Sequence, residues 1–145
     1  MPEPYGIALF CDDIRQEVGG KASYMGIYGT DMLINGPKPA LLPKLAIAAH
    51  ILIPVSLARG TLDVVVNQVS GETTQELIRM TADLTEVDEM PDGDYQGFFG
   101  ANFHLNAVPF QILDDCTLKV RAYVAEKEIK LGGLSIRFGI EETSI

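Results

Sequence analysis

Cysteine, histidine and basic residues are all scarce in this chain. Its 145 residues include two cysteines, Cys11 and Cys116, and two histidines, His50 and His104. That is too few for a disulfide framework or for a zinc site of familiar ligand spacing. No nucleophile signature surrounds either cysteine, and GxGxxG, Walker and HExxH patterns are missing. The common nucleotide-binding and zinc-protease chemistries therefore have no anchor. Basic residues number 11 against 20 acidic ones, a net charge of −9. Such a chain repels polyanions at long range, which argues against nucleic acid and anionic membrane as partners. No apolar run reaches the roughly eighteen residues that a membrane helix needs. The longest, Leu45 to Leu57, is broken by His50, Pro54 and Ser56. Glu3 stands where a secretory leader would carry positive charge, so a cytoplasmic location and two reduced, buried thiols are expected, with a Cys11–Cys116 bridge as the alternative, since each lies next to a predicted strand.

Strand signals, by contrast, are abundant. Apolar residues make up 47% of the chain and charged ones 21%, an ordinary globular composition that fits one domain, 1–145. Phe99, Ala101, Phe103, Leu105 and Ala107 alternate with Gly100, Asn102, His104 and Asn106, the period-two pattern of a sheet buried on one face. The same alternation recurs in TLKVRAYV from Thr117 and in LSIRFGI from Leu134. TLDVVVNQV is β-branched and strand-like, Thr74 to Leu84 supplies a further strand, and Tyr5 to Cys11 and Ala22 to Met32 read as the first two. LPKLAIAAHILIPV is rich in alanine, which favours helix, yet its residues alternate between Pro43 and Pro54, and strand is the better reading. Turn signals separate these runs at Asn35-Gly36-Pro37, Ser70-Gly71 and Pro91-Asp92-Gly93. Tyr123 to Leu134 reads as a hairpin with AEKE at its tip and a bend at Gly132-Gly133. The expectation is an all-β, immunoglobulin-like or related β-sandwich of seven to eight strands, with a barrel as the structural alternative.

The segment CDDIRQEVGG, from Cys11 to Gly20, then falls between the first two strands. Cys11 ends the first, and Gly19-Gly20 permits a tight turn with positive φ. YGIALFCDDIRQEVGGKASYMGIYG, followed by Leu-Pro-Lys-Leu at Leu42, resembles an uncharacterised family of small bacterial and phage-associated proteins. That resemblance implies a β-sandwich and carries no activity and no catalytic residue.

The candidate chemistry is correspondingly thin. His50 and His104 read as ordinary surface or satisfied histidines. Six carboxylates crowd between Asp83 and Asp94, and oxygen-rich loops of β-sandwiches can hold calcium. Asp12, Asp13, Asp88, Asp92 and Asp94 are the candidate metal ligands, although their spacing is not that of the twelve-residue calcium loop. Five basic residues lie in the last two strands and their hairpin. Of these, Lys119, Arg121, Lys127 and Arg137 are candidates for contact with another protein or a second copy of the chain; edge-strand lysines that block unwanted pairing are the alternative. The reverse side of the Leu45–Leu57 strand is a second candidate surface if it is left uncovered. The sequence therefore points to a non-enzymatic structural or protein-interaction module without a cofactor. The alternative is a calcium or small-ligand binding domain built on the loop carboxylates.

Overall fold

The computed structural model describes residues 3–84 and 97–139. They form eleven strands: β1 Tyr5–Gln16, β2 Ala22–Ile27, β3 Asp31–Asn35, β4 Ala40–Leu42, β5 Leu45–Pro54, β6 Thr61–Ser70, β7 Thr73–Asp83, β8 Phe98–Ala107, β9 Phe110–Ile112, β10 Cys116–Val124 and β11 Lys127–Gly139. The only helix among the described residues is the single 3-10 turn Val55–Leu57, and none is long and apolar enough to cross a membrane.

One sheet has the order β2-β1-β5-β8 and a second the order β3-β11-β10-β6-β7, with β4 and β9 as a separate two-stranded ribbon. All pairings are antiparallel except β3 with β11. Alternation turns Ala8 and Phe10 of β1 and Ile47, Ala49, Ile51 and Ile53 of β5 toward Leu62, Val64 and Val66 of β6, Leu118, Val120 and Ala122 of β10, and Ile136 of β11. These side chains form one apolar layer between the two larger sheets, the arrangement of a β-sandwich. No polar or charged residue is buried among the described residues. The two sheets approach closely where β1 crosses β11: a Cβ on Gly6 would stand 2.8 Å from Leu131 Cδ2, and one on Gly132 would stand 3.2 Å from the Ala8 carbonyl oxygen.

The alanine-rich segment is strand β5, and its position explains the ambiguity. It lies inside its sheet with β1 on one edge and β8 on the other, and Leu45 to Ala49 are buried without interruption. Small side chains there answer to burial on both faces rather than to helix propensity.

Several boundaries differ from the sequence expectation. The strand count rises from seven or eight to eleven, partly because the expected strand Ala22 to Met32 divides. β2 pairs with β1, while β3 crosses to β11 in the other sheet. The break comes at Tyr28–Thr30, just after Gly26 with φ +70°. The three-residue strands β4 and β9 carry too few residues to show a period. β1 does not end at Cys11. It continues to Gln16, and only Glu17–Lys21 forms the loop, closed by the Glu17 N–H donating to the Lys21 carbonyl at 2.8 Å. Gly19 and Gly20 there have φ of +87° and +75°, as the tight turn requires. The late hairpin turns on Ala125 and Glu126 alone, both with positive φ. Val124 pairs directly with Lys127, the arrangement of a two-residue turn that follows strand twist. The register shift between Val120 and Arg121 falls opposite Leu131 and Gly132, which places the bulge beside the expected glycine bend.

Candidate functional site

Strand pairing fixes which side chains share the outer face of the four-stranded sheet. Tyr5 pairs with Leu52 and Leu52 with Gly100; Ile7 pairs with His50 and His50 with Asn102; Leu9 pairs with Ala48 and Ala48 with His104. Each trio forms one row across β1, β5 and β8. The rows that begin with Tyr5 and Ile7 are open. Tyr5 and Ile7 are each more than half exposed, and a depression of about 600 Å³ is lined by Tyr5, Ile7, Leu52 and Gly100 with His50 and Asn102 at its end. The Tyr5 and Phe98 rings meet edge to face, 5.7 Å between centroids, at the opposite end.

The remaining rows are covered. Ala46 and Ala48 point away from the main apolar layer yet have no exposed surface, and neither does Cys11. The cover is the β1–β2 hairpin. Tyr24 pairs with Ile14, seven residues along β1 from the partner of His50. In a flat sheet that offset is about 23 Å at 3.3 Å per residue. Nevertheless the Tyr24 hydroxyl lies 2.7 Å from His50 Nε2 and 3.0 Å from His104 Nε2, so β1 must curl beyond Cys11 and fold β2 back over β5 and β8.

The contacts form a single chain of hydrogen bonds. Asn102 Oδ1 lies 2.7 Å from His50 Nδ1. The carbonyl oxygen can only accept, so His50 carries its proton on Nδ1 and offers the Nε2 lone pair to the Tyr24 hydroxyl. The Tyr24 oxygen in turn accepts from His104 Nε2–H, and His104 Nδ1 accepts from the Gln16 amide nitrogen at 3.1 Å. Every group in the chain is satisfied with both imidazoles neutral and in opposite tautomers. Burial, and secondarily the nearby His50, hold the His104 pKa below the usual histidine range. Burial is also the main reason that the Tyr24 phenol is pushed up. A depression of about 330 Å³ opens onto this cluster.

The metal candidates are placed differently. Asp12 and Asp13 alternate to opposite faces of β1. Asp12 accepts from the Tyr28 hydroxyl at 2.8 Å, and Tyr28 is pushed up to about 12 by burial together with that carboxylate. Asp13 pairs with Lys44 at 2.5 Å, and this contact lowers its pKa. Asp88, Asp92 and Asp94 lie outside the described residues. Of the adjacent acids Asp114 and Asp115, the first is bound to Lys38 and the second accepts from the Phe138 backbone N–H. Among the described residues, no three of His, Cys, Asp and Glu gather into a metal-holding group.

The candidate interaction residues do not form a uniformly basic face. Arg121 lies along the sheet with its side chain only 17% exposed, 3.9 Å from Glu128. Arg137 pairs with Asp31 and Lys127 with Glu3. Arg79 of β7 joins the same outer face, bound to Asp63 and Glu76. Lys119 is exposed in strand β10. Acid and base are interleaved because the partners of β10 and β11 bring their own carboxylates.

Nothing in the sequence joins His50 to His104. Both occupy the non-core face of their strands, and this much is legible, but only the β5–β8 register makes them diagonal neighbours. No protein-family model matches the chain, and no curated protein matches it in sequence. No side chain acquires a role from a relative.

Proposed function

We propose that the chain is a non-enzymatic protein-interaction module, immunoglobulin-like in its sandwich, that receives another protein or a second copy of itself on the outer face of the four-stranded sheet. The observation that carries this reading is the open strip of Tyr5, Ile7 and Leu52, floored by Gly100 and bounded by His50 and Asn102. An apolar strip beside oriented polar groups is the composition of a recognition surface, in which burial supplies affinity and the polar groups supply orientation. The reverse side of β5 is therefore favoured over the charged face of β10 and β11, where Arg121 and Arg137 already have acidic partners within the chain. A cytoplasmic location accords with the two free, buried thiols.

Sedimentation velocity and photo-crosslinking decide between the surfaces. Ile7→Asp with Leu52→Asp is expected to abolish self-association, or crosslinking to a partner from a probe at Tyr5, with circular dichroism unchanged. Association through the strip persists when salt rises to about 0.5 M, whereas association through exposed charges weakens. Loss on Lys119→Glu with Arg121→Glu, and retention in the Ile7/Leu52 variant, would transfer the interface to the five-stranded sheet. A monomer without crosslinks from either face would overturn the proposal.

A further inference from the structure

We propose that His50, His104 and Tyr24 form a binding site for a divalent first-row transition ion of the zinc and copper class. The site rests on its own geometry, and it shares His50 and Asn102 with the border of the docking strip. Two imidazole Nε2 atoms converge on one phenolic oxygen, at 2.7 and 3.0 Å. Donor atoms bound at about 2.0 Å to a common ion stand about 2.8 Å apart at a right angle and about 3.3 Å apart in a tetrahedron. The two Nε2–oxygen separations thus lie close to the right-angle value and short of the tetrahedral one, and side-chain rotations that part the rings admit the ion between them.

The scaffold holds these donors in place. His50 and His104 are diagonal neighbours on one face of the β5–β8 pair, since His50 faces Asn102 and His104 faces Ala48. Rings presented from adjacent strands are held by the backbone ladder rather than by a loop. Asn102 accepts from His50 Nδ1–H at 2.7 Å, which fixes the tautomer that directs a lone pair from Nε2, the usual outer-shell arrangement around a metal-bound histidine. For His104 the same state requires its proton to move from Nε2 to Nδ1 and the Gln16 amide to turn so that its oxygen accepts. Gln16 is exposed and free to turn. Gly20 and Ala22 line the approach, and neither side chain can obstruct it.

The donor set selects the class of ion. Imidazole nitrogen suits zinc, copper and nickel, whereas calcium and magnesium require carboxylate or carbonyl oxygen. The third donor is the Tyr24 phenol. On binding, both imidazoles remain neutral and donate their Nε2 lone pairs. Tyr24 binds through its oxygen, and its proton leaves to solvent when it does so as phenolate. The ion displaces the two hydrogen bonds that Tyr24 makes in its absence.

Calorimetric titration of the full chain with zinc chloride near neutral pH, after treatment with a chelator, tests the site. The expected result is one zinc ion per chain. Binding is lost in His50→Ala and in His104→Ala, about tenfold weaker in Asn102→Ala, and unchanged in Asp13→Asn. Imidazole nitrogen NMR spectra of the wild-type protein remove any dependence on variant folding: zinc must shift Nε2 of both histidines together. With copper, phenolate ligation adds a charge-transfer band that Tyr24→Phe removes. Absence of heat and of imidazole shifts, a shift of one histidine alone, or retention of stoichiometric binding in both alanine variants would overturn the proposal.

Discussion

Removing one oxygen atom, by Tyr24→Phe, tests how the β1–β2 hairpin is held over its sheet. The ring and its packing survive, and two hydrogen bonds are lost, those to His50 and His104. A neutral hydrogen bond contributes about 0.5–1.5 kcal/mol net. Tyr24 is half-buried rather than sealed, so water reaches the orphaned imidazole nitrogens and the full penalty of an unsatisfied buried group does not apply. The expected loss is about 1–3 kcal/mol, or roughly 3–12 °C in Tm for a domain of this size. Urea unfolding with a chelator present measures it, and amide exchange locates it: residues 14–16 and 22–24 should exchange faster while β6 and β10 are unchanged. The His104 pKa is held low, so as pH falls below about 7 the unfolded chain, with histidine near 6.5, binds more protons than the folded one. Stability is therefore complete above the unfolded value and declines as pH falls through the folded one, and His104→Gln should flatten that decline. The lowered pKa values of Asp13, Asp114 and Glu76, each beside a lysine or arginine, act in a separate window below about pH 4. An unchanged midpoint together with unchanged hairpin exchange in Tyr24→Phe would refute the clamp.

Three further predictions concern the fold. Gly26→Ala should destabilise more than Gly20→Ala: both have positive φ, but a Cβ on Gly26 would meet the Asp12 carboxylate while Gly20 has open space; thermal melts of the two variants rank them. Ile136→Ala removes a side chain with no exposed surface and should cost about 2–5 kcal/mol by denaturant unfolding. Phe103→Ala, half-buried against the same core, should fall below the 3–5 kcal/mol expected for a fully buried phenylalanine. Cys11 and Cys116 are both buried with their thiol pKa values pushed up, chiefly by burial. Native-state labelling by a disulfide reagent should therefore be slow at both and become fast in urea.

The period of two made most of the strands legible, and it identified Leu105, Val120, Ala122 and Ile136 as core. Phe99, Phe103 and Phe138 share the same alternation and are only half-buried. Phe99 and Phe103 lie on β8 and Phe138 is near the end of β11, where the opposite sheet covers less of each ring. The continuation of β1 through Asp12, Asp13 and Arg15 was not legible. Polar residues on both faces carry no alternation when the strand leaves the core, and pairing with β2 alone maintains it.

By itself the sequence determined that the chain is all-β, because alternation is a local property written in neighbouring residues. It also determined the glycine turn at Gly19-Gly20, because positive φ is a demand that a residue type answers locally. Only the tertiary structure decided that β2 and β3 belong to different sheets, that the basic residues of β10 and β11 meet carboxylates, and that Tyr24 joins His50 to His104 across 80 residues of chain. These depend on which strand lies beside which and on where β1 curls. Neither is encoded in the spacing of any one segment, since pairing is settled by the joint burial of all the apolar faces.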